Sequence, residues 1–268
     1  MAPAPDRRAD DVTQVALFVT CVGELVDPDV PVAAVRVLRA AGCSVDVPDG
    51  QTCCGQPAWN SGFVQDAARV AATSLDALER AVDDGADAVV VPAGSCTTMM
   101  RLYWPQLFSL AGDEAASDRA RSLGERMWEL TELLAALPEG RNPVLGSIEP
   151  CTVAYHRSCH MLRELHVEEQ PEALLARVDG CEQVAWAAAE QCCGFGGTFS
   201  VKLPEASVAM ADEKLDVLPE GTAVIVGADA SCLMQLRTRA GARGMPVRTE
   251  HIAQVLERAL PDDGGAGT

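Results

Sequence analysis

The segments DAVVVPAGSC, residues 87–96, and TAVIVGADASC, residues 222–232, are two versions of one pattern. Each begins with a short run of apolar, mostly β-branched residues, which is typical of a buried strand. Each then continues through small residues to a cysteine. The repetition predicts that the chain contains two copies of one structural unit.

The cysteines extend this repeat along the chain. Four cysteines of the first half recur in the second half at offsets of 138, 139, 139 and 136 residues. We call the first set the first quartet and the later set the second quartet: Cys21, Cys53, Cys54 and Cys96, then Cys159, Cys192, Cys193 and Cys232. Cys43 and Cys181 are also 138 residues apart, whereas Cys151 has no counterpart.

The secondary-structure pattern indicates an α/β fold. Strand-like runs (VALFV, SVDV, AVVVP, TVAY, QVAW, AVIVG) alternate with helical stretches at 62–84, 119–137 and 204–217. This alternation predicts a parallel sheet with crossover helices in each of two pseudo-symmetric repeats. The Pro- and Gly-containing segment 138–150 predicts a boundary between repeats at 12–140 and 151–260. We expect flexible tails at 1–11 and 261–268.

Composition and charge exclude several classes of protein. The 268 residues carry a net charge of −18, which disfavours binding to nucleic acids and to anionic membranes. No stretch approaches the about 20 apolar residues of a membrane-spanning helix, and the N-terminus shows no secretory pattern. We therefore expect a cytoplasmic protein whose only membrane association is through partners. Eleven cysteines in such a protein favour metal or redox chemistry over a disulfide framework.

The positions of the two quartets predict two cysteine sites. Ligands of open parallel sheets bind beyond the carboxyl ends of the strands, and each quartet follows three predicted strands. Two adjacent cysteines can offer both sulfurs to one centre, and the glycine after each pair allows a tight turn. Four cysteines suit either an iron-sulfur cluster or zinc, and the spacing alone does not separate these. Cys43, Cys151 and Cys181 are interpreted as structural thiols.

Four segments carry a resemblance to a known family: CCGQPAWNSG (53–62), PAGSC (92–96), YHRSCHMLRE (155–164) and CCGFGGTFSVKLPEAS (192–207). In this order they resemble the Cys-Cys-Gly domain proteins related to the B subunit of heterodisulfide reductase. Among these, they are most similar to the iron-sulfur subunits of three-protein systems that oxidise L-lactate to pyruvate. The resemblance implies that the quartets bind one or two iron-sulfur clusters of the [4Fe-4S] type. It also implies a non-catalytic or co-catalytic electron-transfer subunit that works with the other subunits of such a system.

The chain departs from the heterodisulfide reductase pattern at one position in each repeat. That pattern ends in C-x-x-C, whereas this chain has Met99 in CTTM and Gln235 in CLMQ. The departure argues against a five-cysteine noncubane cluster and against cleavage of a disulfide substrate. One half of the chain could hold zinc instead of a cluster.

Three alternative functions stay open from the sequence. The chain could be the iron-sulfur subunit of a glycolate or glycerol-3-phosphate dehydrogenase, although such relatives usually carry C-x₂-C-x₂-C runs that this chain lacks. It could be a zinc-stabilised binding module with no redox role. It could also exchange thiols and disulfides through Cys192 and Cys193 without any metal.

Several other residues are weaker candidates. His156 and His160 flank Cys159 and could supply hydrogen bonds or carry protons, or could simply pack. Lys202 and Arg157 could offset cluster charge, or could be ordinary surface residues. Three methionines are interpreted as core residues: Met99, Met100 and Met234. Backbone N–H groups around the glycines that follow the cysteine pairs are expected to donate to sulfur: Gly55 and Gly194 to Gly197.

Overall fold

The structure is a computed structural model that describes residues 7–261. The predicted tail residues 1–6 and 262–268 lie outside the described residues. Residues 7–261 form eight strands: β1 (Gln14–Leu17), β2 (Ser44–Asp46), β3 (Ala88–Val91), β4 (Met127–Glu129), β5 (Ser147–His156), β6 (Asp179–Gln183), β7 (Val224–Gly227) and β8 (Arg248–His251).

Helices connect the strands in both halves. Those of the first half are α1 (Cys21–Val26), α2 (Asp29–Ala40), α3 (Gln56–Trp59), α4 (Val64–Asp83), α5 (Gly94–Thr98), α6 (Trp104–Leu110), α7 (Glu114–Gly124) and α8 (Leu130–Ala136). Those of the second half are α9 (Gln170–Leu175), α10 (Thr198–Lys202), α11 (Pro204–Asp216), α12 (Ala230–Ala242) and α13 (Ile252–Arg258). Two π-helical turns, Met99–Tyr103 and Met161–Leu165, and one 3₁₀ turn, Glu139–Arg141, complete the description. None of these helices is long and apolar enough to cross a lipid bilayer.

The strands form two four-stranded parallel sheets. The first has the order β2-β1-β3-β4 and the second the order β6-β5-β7-β8, so that the two halves share one topology. The central strands β3 and β7 are fully buried, as their apolar sequences predict. The predicted α/β fold with two pseudo-symmetric parallel repeats is therefore confirmed.

Some element boundaries differ from the sequence prediction. The predicted helix 119–137 is wrong as one element, because β4 separates α7 from α8. The QVAW run lies mostly after β6, which ends at Gln183. The edge strands β4 and β8 were not predicted from their mixed sequences MWE and RTEH.

Arg7 and Ala9, which lie in the segment predicted as a flexible tail, pack against the first half, whereas Arg8, Asp10 and Asp11 are exposed. The Arg7 guanidinium lies 3.6 Å from the ring centre of Trp128 and donates to the carbonyl of Met127 at 2.7 Å. Ala9 is buried and donates its N–H to the carbonyl of Ala136 at 3.2 Å. A cation-π contact and a backbone hydrogen bond thus hold Arg7 and Ala9 against the first half.

The two halves share one hydrophobic core. A single cluster of buried side chains includes residues of both sheets, among them Val90 of β3 and Val226 of β7. Helix α13 packs against α2, and α8 packs against α9. This packing places the carboxyl ends of both sheets next to each other.

Candidate metal centre

Both cysteine quartets line one cavity between the two halves. The cavity has a volume of about 110 Å³, and all eight predicted ligands contribute to its wall. Loops that follow the carboxyl ends of three strands in each sheet supply them. The structure therefore brings together all eight cysteines of the two quartets.

The sheet and the helix starts position the sulfurs. Cys21 begins α1 directly after β1, where the Thr20 hydroxyl accepts a hydrogen bond from the Gly23 N–H at 3.3 Å. Cys96 lies in α5 after β3, and Cys232 lies in α12 after β7. Because parallel strands end at one edge, these loops converge on the same place.

The glycine after each cysteine pair is required by the backbone. Gly55 has φ of 86° and Gly194 has φ of 83°, which is the left-handed region. A Cβ atom at Gly55 would lie 2.9 Å from the carbonyl oxygen of Ala67, and one at Gly194 would lie 2.5 Å from that of Ser207. The first Cys-Cys-Gly turn therefore rests directly on α4, and the second on α11.

The sulfur atoms of each quartet lie close together. In the first quartet, the Sγ atoms of Cys21 and Cys53 are 3.5 Å apart, and those of Cys54 and Cys96 are 3.4 Å apart. In the second quartet, the Sγ atoms of Cys193 and Cys232 are 2.9 Å apart. All eight cysteines are free of disulfide bonds.

Backbone N–H groups stabilise negative charge at one sulfur of each pair. Gly55 donates to the Sγ of Cys53 and Gly194 donates to the Sγ of Cys192, both at 3.4 Å. These are two of the donors expected from the sequence. The N–H groups of Gly196 and Gly197 make no such contact with sulfur in the described structure.

The crowding of the sulfurs favours the thiolate form at one sulfur of each pair. The neighbouring Cys21 and Cys54 thiols lower the pKa of Cys53 well below its ordinary value. The neighbouring Cys159 and Cys193 thiols lower the pKa of Cys192 in the same way. Thiolates are the form of cysteine that binds metals. Each quartet therefore fits a metal ion or an iron-sulfur cluster, which would replace the protons between its neighbouring sulfurs.

Polar residues join the two halves across the cavity. Asp229 accepts a hydrogen bond from the N–H of Ser95 at 3.0 Å. Gln56 donates to the carbonyl of Ser95 at 3.1 Å and lies 3.4 Å from Nε2 of His160. Gln56, Ser95 and Asp229 were not singled out from the sequence, because neither their type nor their spacing is distinctive.

His160 faces this cavity and is held by a carboxylate. Its Nδ1 lies 3.0 Å from Oε1 of Glu164, one helical turn further along the chain. The nearby Glu164 carboxylate also raises the pKa of the Tyr103 phenol to about 12. The His-x₃-Glu spacing was a usable sequence signal for this pair.

Two buried polar side chains lie behind the second quartet. His156 is 1% exposed, and burial together with the nearby Lys214 charge lowers its pKa to about 3. Lys214 is also buried, and burial lowers its pKa to about 8. Its ammonium donates to the carbonyls of Ala188 and Ala189 and lies 4.0 Å from the ring centre of Trp186. Lys214 was missed from the sequence, because nothing in α11 marks it as buried.

The remaining candidates lie away from the cavity. Arg157 forms ion pairs with Glu172 and Glu190. Lys202 is exposed, with its ammonium 5.8 Å from the ring centre of Phe63. Of the three methionines interpreted as core, Met99 and Met100 are buried and Met234 is half-buried.

The other three cysteines lie outside the cavity. Cys151 and Cys181 lie opposite each other in the neighbouring strands β5 and β6, and Cys43 is buried in the shared core. At the positions where C-x-x-C would end, Met99 lies in the core and Gln235 donates to the hydroxyl of Ser207 at 2.9 Å. No described residue provides a fifth cysteine to either quartet.

Comparison with known proteins identifies the family. The family model for a cysteine-rich domain, abbreviated CCG, matches residues 15–101 and 153–237, and each match contains one complete quartet. The chain belongs to the CCG cysteine-rich domain family. This agrees with the resemblance noted from the sequence and with the two structural repeats.

Curated relatives in this family match almost the whole chain. Lactate utilization protein A of Exiguobacterium sp. is 43% identical over 247 residues, covering 92% of this chain and 98% of the relative. The protein with that name from Geobacillus thermodenitrificans is 43% identical over 244 residues, with coverage of 91% and 98%. The one from Bacillus subtilis is 41% identical over 246 residues, again with coverage of 91% and 98%.

Proposed function

We propose that this CCG protein is the iron-sulfur electron-transfer subunit of a system that oxidises L-lactate to pyruvate. The observation that carries the proposal is the convergence of two complete cysteine quartets on one cavity. The lactate-utilisation names of relatives that match over nine-tenths of the chain support the choice of substrate. The same proposal places the subunit in the cytoplasm, where it contacts other subunits of that system.

The residues of the cavity have defined roles in this proposal. The eight quartet cysteines hold the clusters as thiolates, and each bound cluster supplies one-electron transfer. Oxidation of lactate to pyruvate releases two electrons and two protons, and partner subunits carry out that step. The N–H groups of Gly55 and Gly194 stabilise negative charge on sulfur. Cys54, Cys96, Cys193 and Cys232 are buried, so that burial on this side of the cavity would contribute to the potential of a bound cluster.

Metal content provides the first test. The full-length protein is purified without oxygen, and its visible spectrum, iron, sulfide and zinc are measured beside those of Cys193→Ser and Cys181→Ser. We expect a brown protein with about four irons per occupied quartet. Cys193→Ser should lose the second centre, whereas Cys181→Ser should keep both, because Cys181 lies outside the cavity. A colourless wild-type protein would overturn the proposal.

Substrate identity is tested with the complete system. The wild-type protein is mixed without oxygen with its partner subunits and then with L-lactate, glycolate or glycerol 3-phosphate. Bleaching of the cluster absorbance by L-lactate is expected, since the absorbance of reduced clusters is lower. Bleaching by only one of the other two substrates would favour the corresponding dehydrogenase instead.

One observation favours zinc, in place of an iron-sulfur cluster, as the metal bound by the second quartet. A ring nitrogen of His156 and the sulfurs of Cys193 and Cys232 lie within 4.8 Å of one another, and zinc accepts both ligand types. One zinc and about four irons per chain would support this mixed occupancy. Zinc alone in both quartets would instead indicate a binding module without a redox role.

A further inference from the structure

The two quartets differ in the side chain that lies behind them. Phe18 stands three residues before Cys21, and His156 stands three residues before Cys159, so the two occupy equivalent positions of the repeat. Both are buried. Phe18 belongs to the apolar cluster that also contains Cys54 and Cys96. The first quartet therefore has a phenyl ring where the second quartet has an imidazole.

Among the described residues the imidazole of His156 makes no hydrogen bond of normal geometry, and the nearby Ala189 carbonyl already accepts from the Arg157 N–H and the Lys214 ammonium. Both ring nitrogens of His156 are buried without such a bond, and a nitrogen, the Cys193 sulfur and the Cys232 sulfur lie within 4.8 Å of one another. Buried polar groups are nearly always paired, and leaving one unpaired costs free energy. The imidazole is thus placed to find its partner at the sulfurs of the second centre.

The charged neighbours on the other elements are already engaged. The Lys214 ammonium donates to the carbonyls of Ala188 and Ala189. The Asp229 carboxylate accepts from the N–H groups of Ser95 and Ser231 and from the Ser231 hydroxyl. Neither group bonds to the ring of His156.

We propose that His156 donates an N–H hydrogen bond to sulfur of the second centre, on its Cys193 and Cys232 side, and thereby raises the reduction potential of that centre alone. The inference rests on the proposed function, because it requires a cluster in the second quartet. A hydrogen bond to sulfur stabilises the more negative, reduced cluster. Phe18 offers no such donor, so the two centres of one chain have unequal potentials.

The test is a redox titration of the anaerobically purified full chain, followed by electron paramagnetic resonance. His156→Phe reproduces the first centre and should shift one of two midpoint potentials to a lower value, leaving the other unchanged. His156→Asn keeps an N–H donor and should recover part of that shift. Phe18→His is the reverse change and should raise the potential of the first centre. Iron content confirms that each variant still carries its clusters.

A second readout separates a hydrogen bond from direct ligation. Pulsed paramagnetic resonance on protein with ¹⁵N-labelled histidine should show a weak nitrogen coupling that His156→Phe abolishes. A strong coupling, or zinc in the second quartet, would show that His156 is a metal ligand and overturn the inference. Unchanged potentials in a normally loaded His156→Phe protein would overturn this inference alone. A wild-type protein without clusters would overturn the proposed function as well.

Discussion

At the scale of single residues, the Cys-Cys-Gly turns depend on glycine for two separate reasons. Gly194 has a positive φ, and a Cβ atom there would also clash with the carbonyl oxygen of Ser207. Gly221 has a similar φ of 81°, but a Cβ atom there would meet nothing within 4 Å. The two glycines therefore separate the effect of backbone conformation from the effect of close packing.

We predict that Gly194→Ala abolishes the second centre, whereas Gly221→Ala does not. Alanine at either position costs about 1 to 2 kcal/mol because of its left-handed conformation. At Gly194 the methyl group must also push Cys192 and Cys193 away from α11. Iron content and the free energy of unfolding of both variants test this. Full iron content in Gly194→Ala would show that the close approach is not needed.

Glu129 is a second residue whose environment has a measurable consequence. It is fully buried, its Oε1 has no partner, and burial raises its pKa to about 7 from an ordinary value of 4.5. A carboxyl whose folded pKa is raised is destabilising when it is charged, so its contribution to stability falls as the pH rises from 4.5 to 7.

We predict that Glu129→Gln removes this dependence on pH. Between pH 5 and pH 7.5, the free energy of unfolding of the wild type should fall relative to that of Glu129→Gln by about 2 kcal/mol. Glutamine keeps an oxygen that can cap α8, which limits other effects of the change. Urea unfolding of both proteins at the two pH values measures the difference. Parallel pH curves would contradict the prediction.

At the scale of elements, the central strands could be predicted from the sequence, as could the edge strand β2 from its SVDV run, whereas the edge strands β4 and β8 could not. The apolar runs AVVV and VIVG form strands with a neighbour on each side, so burial imposes a clear pattern on them. The edge strand β8, RTEH, pairs with one neighbour and is half exposed, so no such pattern arises. Strand β4 is short enough to be hidden within a helical pattern.

The candidate site was predictable to a similar, limited extent. Repetition of the quartets identified the cysteines, and proximity to Cys159 identified His156 and His160. Lys214 and Asp229 reach the site from α11 and from the start of α12, far along the chain. Only tertiary packing decides which side chains of such elements turn inward, so a single sequence does not reveal them.

Asp229 provides a prediction at this scale, because it caps α12 and also joins the two halves. Its carboxylate accepts from Ser231 in the same half and from Ser95 in the other. We predict that Asp229→Ala lowers the free energy of unfolding by about 1 kcal/mol or more and also reduces the retention of the second centre.

Asp113→Ala is the matched control for this variant. Asp113 caps α7 through the N–H of Ala116 at 2.9 Å and does not line the cavity. The Asp113→Ala variant should lose about 1 kcal/mol of its free energy of unfolding and keep its iron. Urea unfolding and iron analysis of both variants provide the measurements. Equal iron content in the two would show that Asp229 acts only as a helix cap.

At the scale of the whole molecule, the cavity exists because the two halves approach closely beside it. Helix α5 of the first half packs against the π-helical turn of the second half, Met161–Leu165. A Cβ atom at Gly94 would lie 2.1 Å from Cγ of Met161 and 3.2 Å from the hydroxyl oxygen of Ser158. Glycine at this position is what allows the helix to approach so closely.

We predict that Gly94→Ala and Met161→Ala are coupled. Gly94→Ala alone should lower the free energy of unfolding by about 1 to 3 kcal/mol, because the new methyl displaces Met161. Met161→Ala alone leaves a void and should cost about 2 to 5 kcal/mol. In the double variant the methyl enters the vacated space, so its loss should be smaller than the two single losses together. Urea unfolding of the four proteins measures this coupling, with iron analysis as the readout for both quartets. Strictly additive losses would mean that the halves do not depend on this contact, and that other parts of the shared core set the width of the cavity.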